Sequence, residues 1–136
     1  MGQYQNKSEL YLESAEILDD KNMYAAVPHC AYYSCMLLVQ HIWYDVMMKT
    51  ESDLKSECSN RKIGSHEVLI NEVVKFMKNS FKDKRGEPYT FNNKILQLKR
   101  IRVEADYRDN MIDIRKSQNS IQLSKEILPI LKEIKK

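Results

Sequence analysis

Tyr24-Ala25-Ala26-Val27-Pro28-His29-Cys30-Ala31-Tyr32-Tyr33-Ser34 opens the most apolar stretch of the chain, which runs on to Lys49. Within Met23–Lys49 the apolar residues occupy nearly every helical face. Ala26, Cys30, Tyr33 and Leu37 form one line; Ala31, Cys35, Leu38, Ile42 and Val46 form another. A helix that is apolar all round is buried by several neighbours. The stretch therefore predicts a long central helix with other helices packed around it. Pro28 has no backbone N–H to donate. Either the helix starts near Val27 with Pro28 in its first turn, or it bends there.

Outward from this centre, Ser8–Asp20 reads as a helix with Ser8 as N-cap and Leu10, Ala15, Ile17 and Leu18 on its apolar side. Asp19-Asp20-Lys21-Asn22 is a polar break. Thr50–Gly64 is polar and charged and reads as a loop with at most a short helical turn. Ser65 caps a helix from His66 to Phe81, whose apolar residues are Leu69, Val73, Phe76 and Met77. Asp83–Pro88 reads as a second loop. Phe91–Arg115 reads as a fourth helix with Ile95, Leu98, Ile101, Ala105 and Ile112 near one face. Ser117–Lys135 is the last, with Pro129 as a kink. The expected fold is all-α: an antiparallel four-helix bundle with an additional C-terminal helix, formed by residues 1–136 as a single domain.

Composition narrows the function classes. Of 136 residues, 43% are hydrophobic and 30% charged, and there are three glycines and three prolines, too few for an all-β fold rich in tight turns. A net charge of +3 permits phosphate contact without the basic coat of a dedicated nucleic-acid binder. Cys30, Cys35 and Cys58 form no C-x-x-C pair and read as reduced thiols in a cytosol. No metal motif, glycine-rich phosphate loop or G-x-S-x-G is present, so no cofactor is expected. Gln40 and His41 stop the apolar run Met36–Val39, so no membrane span is expected and the chain is placed in the cytoplasm.

Two segments carry a resemblance. One is the Ala31-Tyr32-Tyr33-Ser34 stretch. The other is Arg102-Val103-Glu104-Ala105-Asp106-Tyr107, about seventy residues on. Together, in a short helical chain, they resemble the HEPN family, whose small bacterial members carry AYYA or AYYS and R-x-x-A-D-Y stretches. The resemblance implies a helical bundle, a two-fold homodimer, and a role in toxin–antitoxin or phage-defence systems. It implies action on RNA or the binding of nucleotide ligands. The alternative it implies is a catalytically silent module that binds a partner, for example a nucleotidyltransferase.

Three groups of residues are candidates for chemistry. Arg61 and His66 fit the R-x(4–6)-H pattern of HEPN ribonucleases. Histidine titrates near neutrality and can serve as acid or base. Arginine holds a phosphate with a planar fork of donors. Arg61 and His66 are therefore the candidate catalytic pair of a metal-independent endoribonuclease; the other reading of them is structural or ligand-contacting. Arg102, Asp106 and Tyr107, with Tyr33, are the candidate RNA or nucleotide phosphate site. Catalytic family members have a His where this chain has Tyr107, and the same residues also read as an Arg–Asp pair that fixes helix packing. His29, Tyr33, Leu37 and His41 form a row spaced by four; the two histidines are three turns apart, too far to share a metal, and read as satisfied, half-buried side chains. The basic and acidic residues of the fourth helix read as an ion-paired surface.

Overall fold

The computed structural model describes residues 2–80, 86–107 and 111–135. Among these no strand occurs, and six α-helices follow one another: α1 (Gln3–Asp20), α2 (Val27–His41), α3 (Glu51–Arg61), α4 (Ser65–Ser80), α5 (Glu87–Tyr107) and α6 (Ile114–Lys132). The chain is an all-α bundle with a C-terminal helix.

The apolar centre is α2. Its buried residues face in every direction, from Val27 and Ala31 to Tyr32, Met36 and Val39, and α1, α4, α5 and α6 all pack on it. Pro28 lies in the first turn, so no bend is needed. The expected single helix over Met23–Lys49 is nevertheless three pieces. A 3₁₀ turn at Tyr24–Ala26 leads into α2, and a π-helical turn at Ile42–Val46 follows it. There Met47 N donates to Ile42 O at 2.7 Å, one residue wider than in an α-helix. Met48, at φ 58°, then turns the chain away. The wide turn carries Trp43, 1% exposed, into the core, where its Nε1 donates to Thr50 O at 3.2 Å.

Small residues let the helices approach. Ser8 lies inside α1 instead of capping it, because the helix already begins at Gln3 behind Gly2. Its hydroxyl donates to Ser34 O at 2.6 Å, and Ser34 Oγ meets Ser124 Oγ of α6 at 2.7 Å. These buried hydroxyls are satisfied, as burial requires. The register this sets for α1 buries Ser8 and Ala15 and leaves Leu10 and Ile17, expected inside, 60% and 47% exposed.

The cross-links also fix helix sense. Gln5 meets His41 while Ser8 meets Ser34, so α1 and α2 run in opposite directions. The same follows for α5 and α6 from Lys94–Glu126 and Glu104–Lys116.

Thr50–Gly64 is the largest departure from the sequence reading, since Glu51–Arg61 is helical. A capping box starts it: Thr50 Oγ1 accepts from Asp53 N at 3.0 Å, and Asp53 Oδ2 accepts from Thr50 N at 2.8 Å. Lys62, in the left-handed region at φ 57°, ends it. Thr50→Ala is expected to cost about 1 kcal/mol. Because α3 packs chiefly on α4, the loss should appear as faster amide exchange confined to α3.

Two boundaries are corrected at the C-terminal side. Helix α5 begins at Glu87, within the expected loop, of which 83–85 lie outside the described residues. It ends at Tyr107 and does not reach Arg115, because Asp113 starts a new helix by accepting from Lys116 N at 2.8 Å. Ile112 is buried from the connection between the two helices, not from α5. Helix α6 thus starts three residues earlier than Ser117 and contains Pro129. No described helix is long and apolar enough to cross a membrane.

Candidate functional site

Two rows spaced by four residues face one another. On α2 they are His29 and Tyr33; on α5 they are Arg102 and Asp106. Because the two helices run in opposite directions, His29 pairs with Asp106 and Tyr33 with Arg102. His29 Nδ1 stands 3.1 Å from Asp106 Oδ2, and Arg102 Nη2 donates to the Tyr33 hydroxyl at 3.1 Å. Helix spacing aligns each row, and the packing of α2 on α5 brings the four side chains together.

Arg102 is the centre of the site. Its side chain is 12% exposed, and the guanidinium carbon lies 5.3–5.5 Å from the ring centres of Tyr32, Tyr33 and Tyr107. Three ring faces hold the cation in place. Its Nε is 3.0 Å from Asp106 Oδ2, yet that N–H is not aimed at the oxygen and lacks a hydrogen-bond partner among the described residues. The pair is therefore ionic attraction without a directed hydrogen bond, and the fork of donors is not fully used.

His66 reaches the same place from the first turn of α4. Its Nδ1 is 3.0 Å from the Tyr32 hydroxyl, and its ring lies edge-on to Tyr33, 5.6 Å between centres. Burial lowers its pKa, and the charges of Arg102 and Lys99 lower it further. The imidazole is thus neutral at pH 7. Tyr32 is fully buried, which pushes its phenol well above the usual range, so it stays protonated and can donate to Nδ1. That arrangement puts the imidazole proton on Nε2; the opposite tautomer reverses the bond.

The depressed pKa has a sign. The unfolded chain takes up a proton on this histidine near pH 6.5, before the folded chain does. The stabilising difference is complete above that pH and is lost as pH falls through the folded value. Melting temperature is expected to fall from pH 7 to 5, with a shallower fall in His66→Gln; equal slopes would contradict a neutral, half-buried His66.

Arg61, expected to act with His66, is engaged elsewhere. Its Nη2 lies 2.8 Å from Glu57 and 2.6 Å from Glu72, and no described hydrogen bond or ion pair joins it to His66. The structure brings His66 to Arg102, Tyr33, Asp106 and Tyr107, with His29 and Tyr32 added to the set. The sequence signal for His29 was the spacing of 29 with 33 against 102 with 106, and for Tyr32 its place in the Ala31-Tyr32-Tyr33-Ser34 stretch.

His41, at the other end of α2, is separate. Its Nδ1 is 2.9 Å from Asp45, four residues on, and its Nε2 is 3.0 Å from Gln5 Nε2. Both histidines of the α2 row are thus hydrogen-bonded and half-buried, each with its own carboxylate. Among the described residues, no three His, Cys, Asp or Glu side chains cluster as a metal site. Around α5, Lys94, Arg102 and Lys116 have carboxylate partners, whereas Lys99, Arg100 and Arg115 have none among the described residues. Arg108 and Asp109, expected in this ion-paired surface, lie outside the described residues.

Comparison with protein-family models, with curated proteins and with solved structures finds no match.

Proposed function

We propose that this chain is a HEPN-type protein that acts on RNA, cutting it without a metal where His66 and Arg102 meet. One observation carries the reading: a half-buried histidine and a ring-caged arginine, 36 residues apart in sequence, converge on the same tyrosine pair. The chemistry needs a base for the ribose 2′-hydroxyl and a cation for the phosphate. In the tautomer whose Nδ1–H donates to the Tyr32 hydroxyl, His66 takes the 2′-hydroxyl proton on Nε2. The freed oxygen attacks phosphorus, and Arg102 holds the non-bridging oxygens as their charge grows. The bond to the 5′ oxygen breaks, leaving a 2′,3′-cyclic phosphate. His29, when protonated, is the nearby imidazole that can return a proton to that oxygen. Arg61, bound to two carboxylates, is assigned no phosphate.

The second reading is a catalytically silent module that holds RNA, a nucleotide, or a protein partner such as a nucleotidyltransferase. The position of Asp106 against Arg102 favours it, because the carboxylate competes with an incoming phosphate. In both readings the setting is a cytoplasmic toxin–antitoxin or phage-defence system. A second copy is the expected partner; Met23 and Met111, 55% and 92% exposed beside Ile112, offer it an apolar face. Sedimentation at micromolar protein should then show a dimer, and a monomer would count against it.

The test is incubation of the purified protein with single-stranded RNA and a chelator. Fragments ending in 2′,3′-cyclic phosphate support cleavage. RNA that is bound but intact supports the binding module. No binding removes both RNA readings.

A further inference from the structure

Glu67, Ile70 and Asn71 on α4 and Asn92, Leu96 and Lys99 on α5 enclose a groove of about 330 Å³. It lies on the same two helices as His66 and Arg102 of the site just described. Ile70 lies one turn beyond His66 on α4, and Lys99 one turn before Arg102 on α5, so each pair shares a helix side. Lys99 is also near enough to His66 to disfavour its protonation. The volume is at the small end of ligand clefts.

The walls have a specific chemistry. Ile70 is buried and forms an apolar floor, and Leu96, 41% exposed, stands at the side. Asn71 and Asn92 present amides that make no hydrogen bond among the described residues, and Lys99 has no ion pair there. An apolar lining of Leu96 and Ile70 with free amides on both walls suits a nucleobase, which packs by its face and is read along its edge. Glu67 is then the discriminating group. An ionised carboxylate only accepts. Guanine alone among the four bases offers it two adjacent donors, N1–H and the N2 amino group. Adenine and cytosine turn a ring-nitrogen lone pair toward that position, and uracil flanks its single N–H with carbonyls. The amides can meet O6 and N7 of guanine. Lys99, between groove and site, is placed for the adjoining phosphate.

We propose that this groove holds the base next to the phosphate bound at Arg102 and His66, and that Glu67, Asn71 and Asn92 make it select guanine. The inference rests on the RNA reading above. It makes the groove the source of sequence preference, in a site whose arginine and histidine read only the backbone.

The experiment measures equilibrium binding of short oligouridylates carrying 2′-O-methyl groups, which block cleavage. One is uridine throughout; the others carry a single guanosine, adenosine or cytidine. The wild-type protein should bind the guanosine-containing oligomer about tenfold more tightly than the others, the value of one good base-edge contact pair. Glu67→Gln and the double variant Asn71→Ala/Asn92→Ala should each remove that preference and leave affinity for plain oligouridylate unchanged. Arg102→Ala should weaken all four oligomers alike. Equal wild-type affinities for the four, still dependent on Arg102, would overturn the guanine pocket and leave the phosphate site standing. A guanosine preference that survives both sets of groove substitutions would overturn it as well. No binding of any oligomer would overturn the RNA reading and this inference with it.

Discussion

Arg102→Ala is expected to lower affinity for single-stranded RNA by about ten- to a hundredfold, the worth of a hydrogen-bonded contact to a charged group. If RNA is cut, the rate should fall by about a hundredfold or more, as when an oxyanion donor is removed. The argument is positional. Arg102 is held by three aromatic faces, so little side-chain entropy remains to be lost when a phosphate arrives. Its Nε is buried without a directed partner, so a phosphate would be met by the terminal nitrogens of the fork. Arg102→Lys keeps the charge without the planar fork and should recover only part of the affinity. Arg61→Ala is the contrasting variant. With Glu57 and Glu72 on its guanidinium, Arg61 is already neutralised, and its removal should leave RNA affinity within about twofold, the scale of a weak surface contact. Circular dichroism melts separate loss of binding from loss of fold. Equal losses in the two arginine variants would contradict the placement of the site.

The largest effect on stability is expected at Trp43. It is 1% exposed, lies in the π-helical turn after α2, and its indole N–H holds Thr50 O just before α3. Trp43→Ala removes the largest fully buried side chain and leaves that carbonyl without its indole donor. The expected cost is about 3–5 kcal/mol, a large share of the roughly 5–15 kcal/mol that holds a domain of this kind. Trp43→Phe keeps most of the ring and loses the hydrogen bond, so a smaller cost of about 1–2 kcal/mol is expected. Urea titration followed by circular dichroism measures both; tryptophan fluorescence cannot, because Trp43 is the only tryptophan. A loss below about 1 kcal/mol for the alanine variant would mean the turn is not a core element.

The helical class and the buried centre were legible because α2 is apolar on every face, a pattern that forces neighbours around it. Capping chemistry was the part misread. Thr50 and Asp53 are three apart at the head of a polar stretch, and their reciprocal hydrogen bonds start a helix that hydrophobic periodicity does not reveal. Asp113 caps α6 through Lys116 N, so the last helix starts at Ile114 and takes in the end of the expected fourth helix. Ser8 shows the reverse error: a residue type favoured at caps serves inside the bundle as a small hydrogen-bonding contact. The site was half legible. Tyr33, Arg102, Asp106 and Tyr107 were singled out together and stand together. His66 was linked to Arg61 by sequence proximity, whereas its neighbour is Arg102, 36 positions away, an arrangement made by the packing of α4 against α5. No local spacing carries that information.

The most direct test of a neutral His66 beside Arg102 is a pH titration of the histidine ring nitrogens by NMR. It would be recorded on the free protein and with a 2′-O-methyl oligouridylate bound, with His66→Gln assigning the signals. His66 is expected to titrate below its ordinary value near 6.5 in the free protein. Bound phosphate adds negative charge and should move it upward. Arg102→Ala should also raise the free value, since a neighbouring positive charge is removed. A His66 that titrates at or above the ordinary value, unmoved by RNA and by Arg102→Ala, would contradict the site.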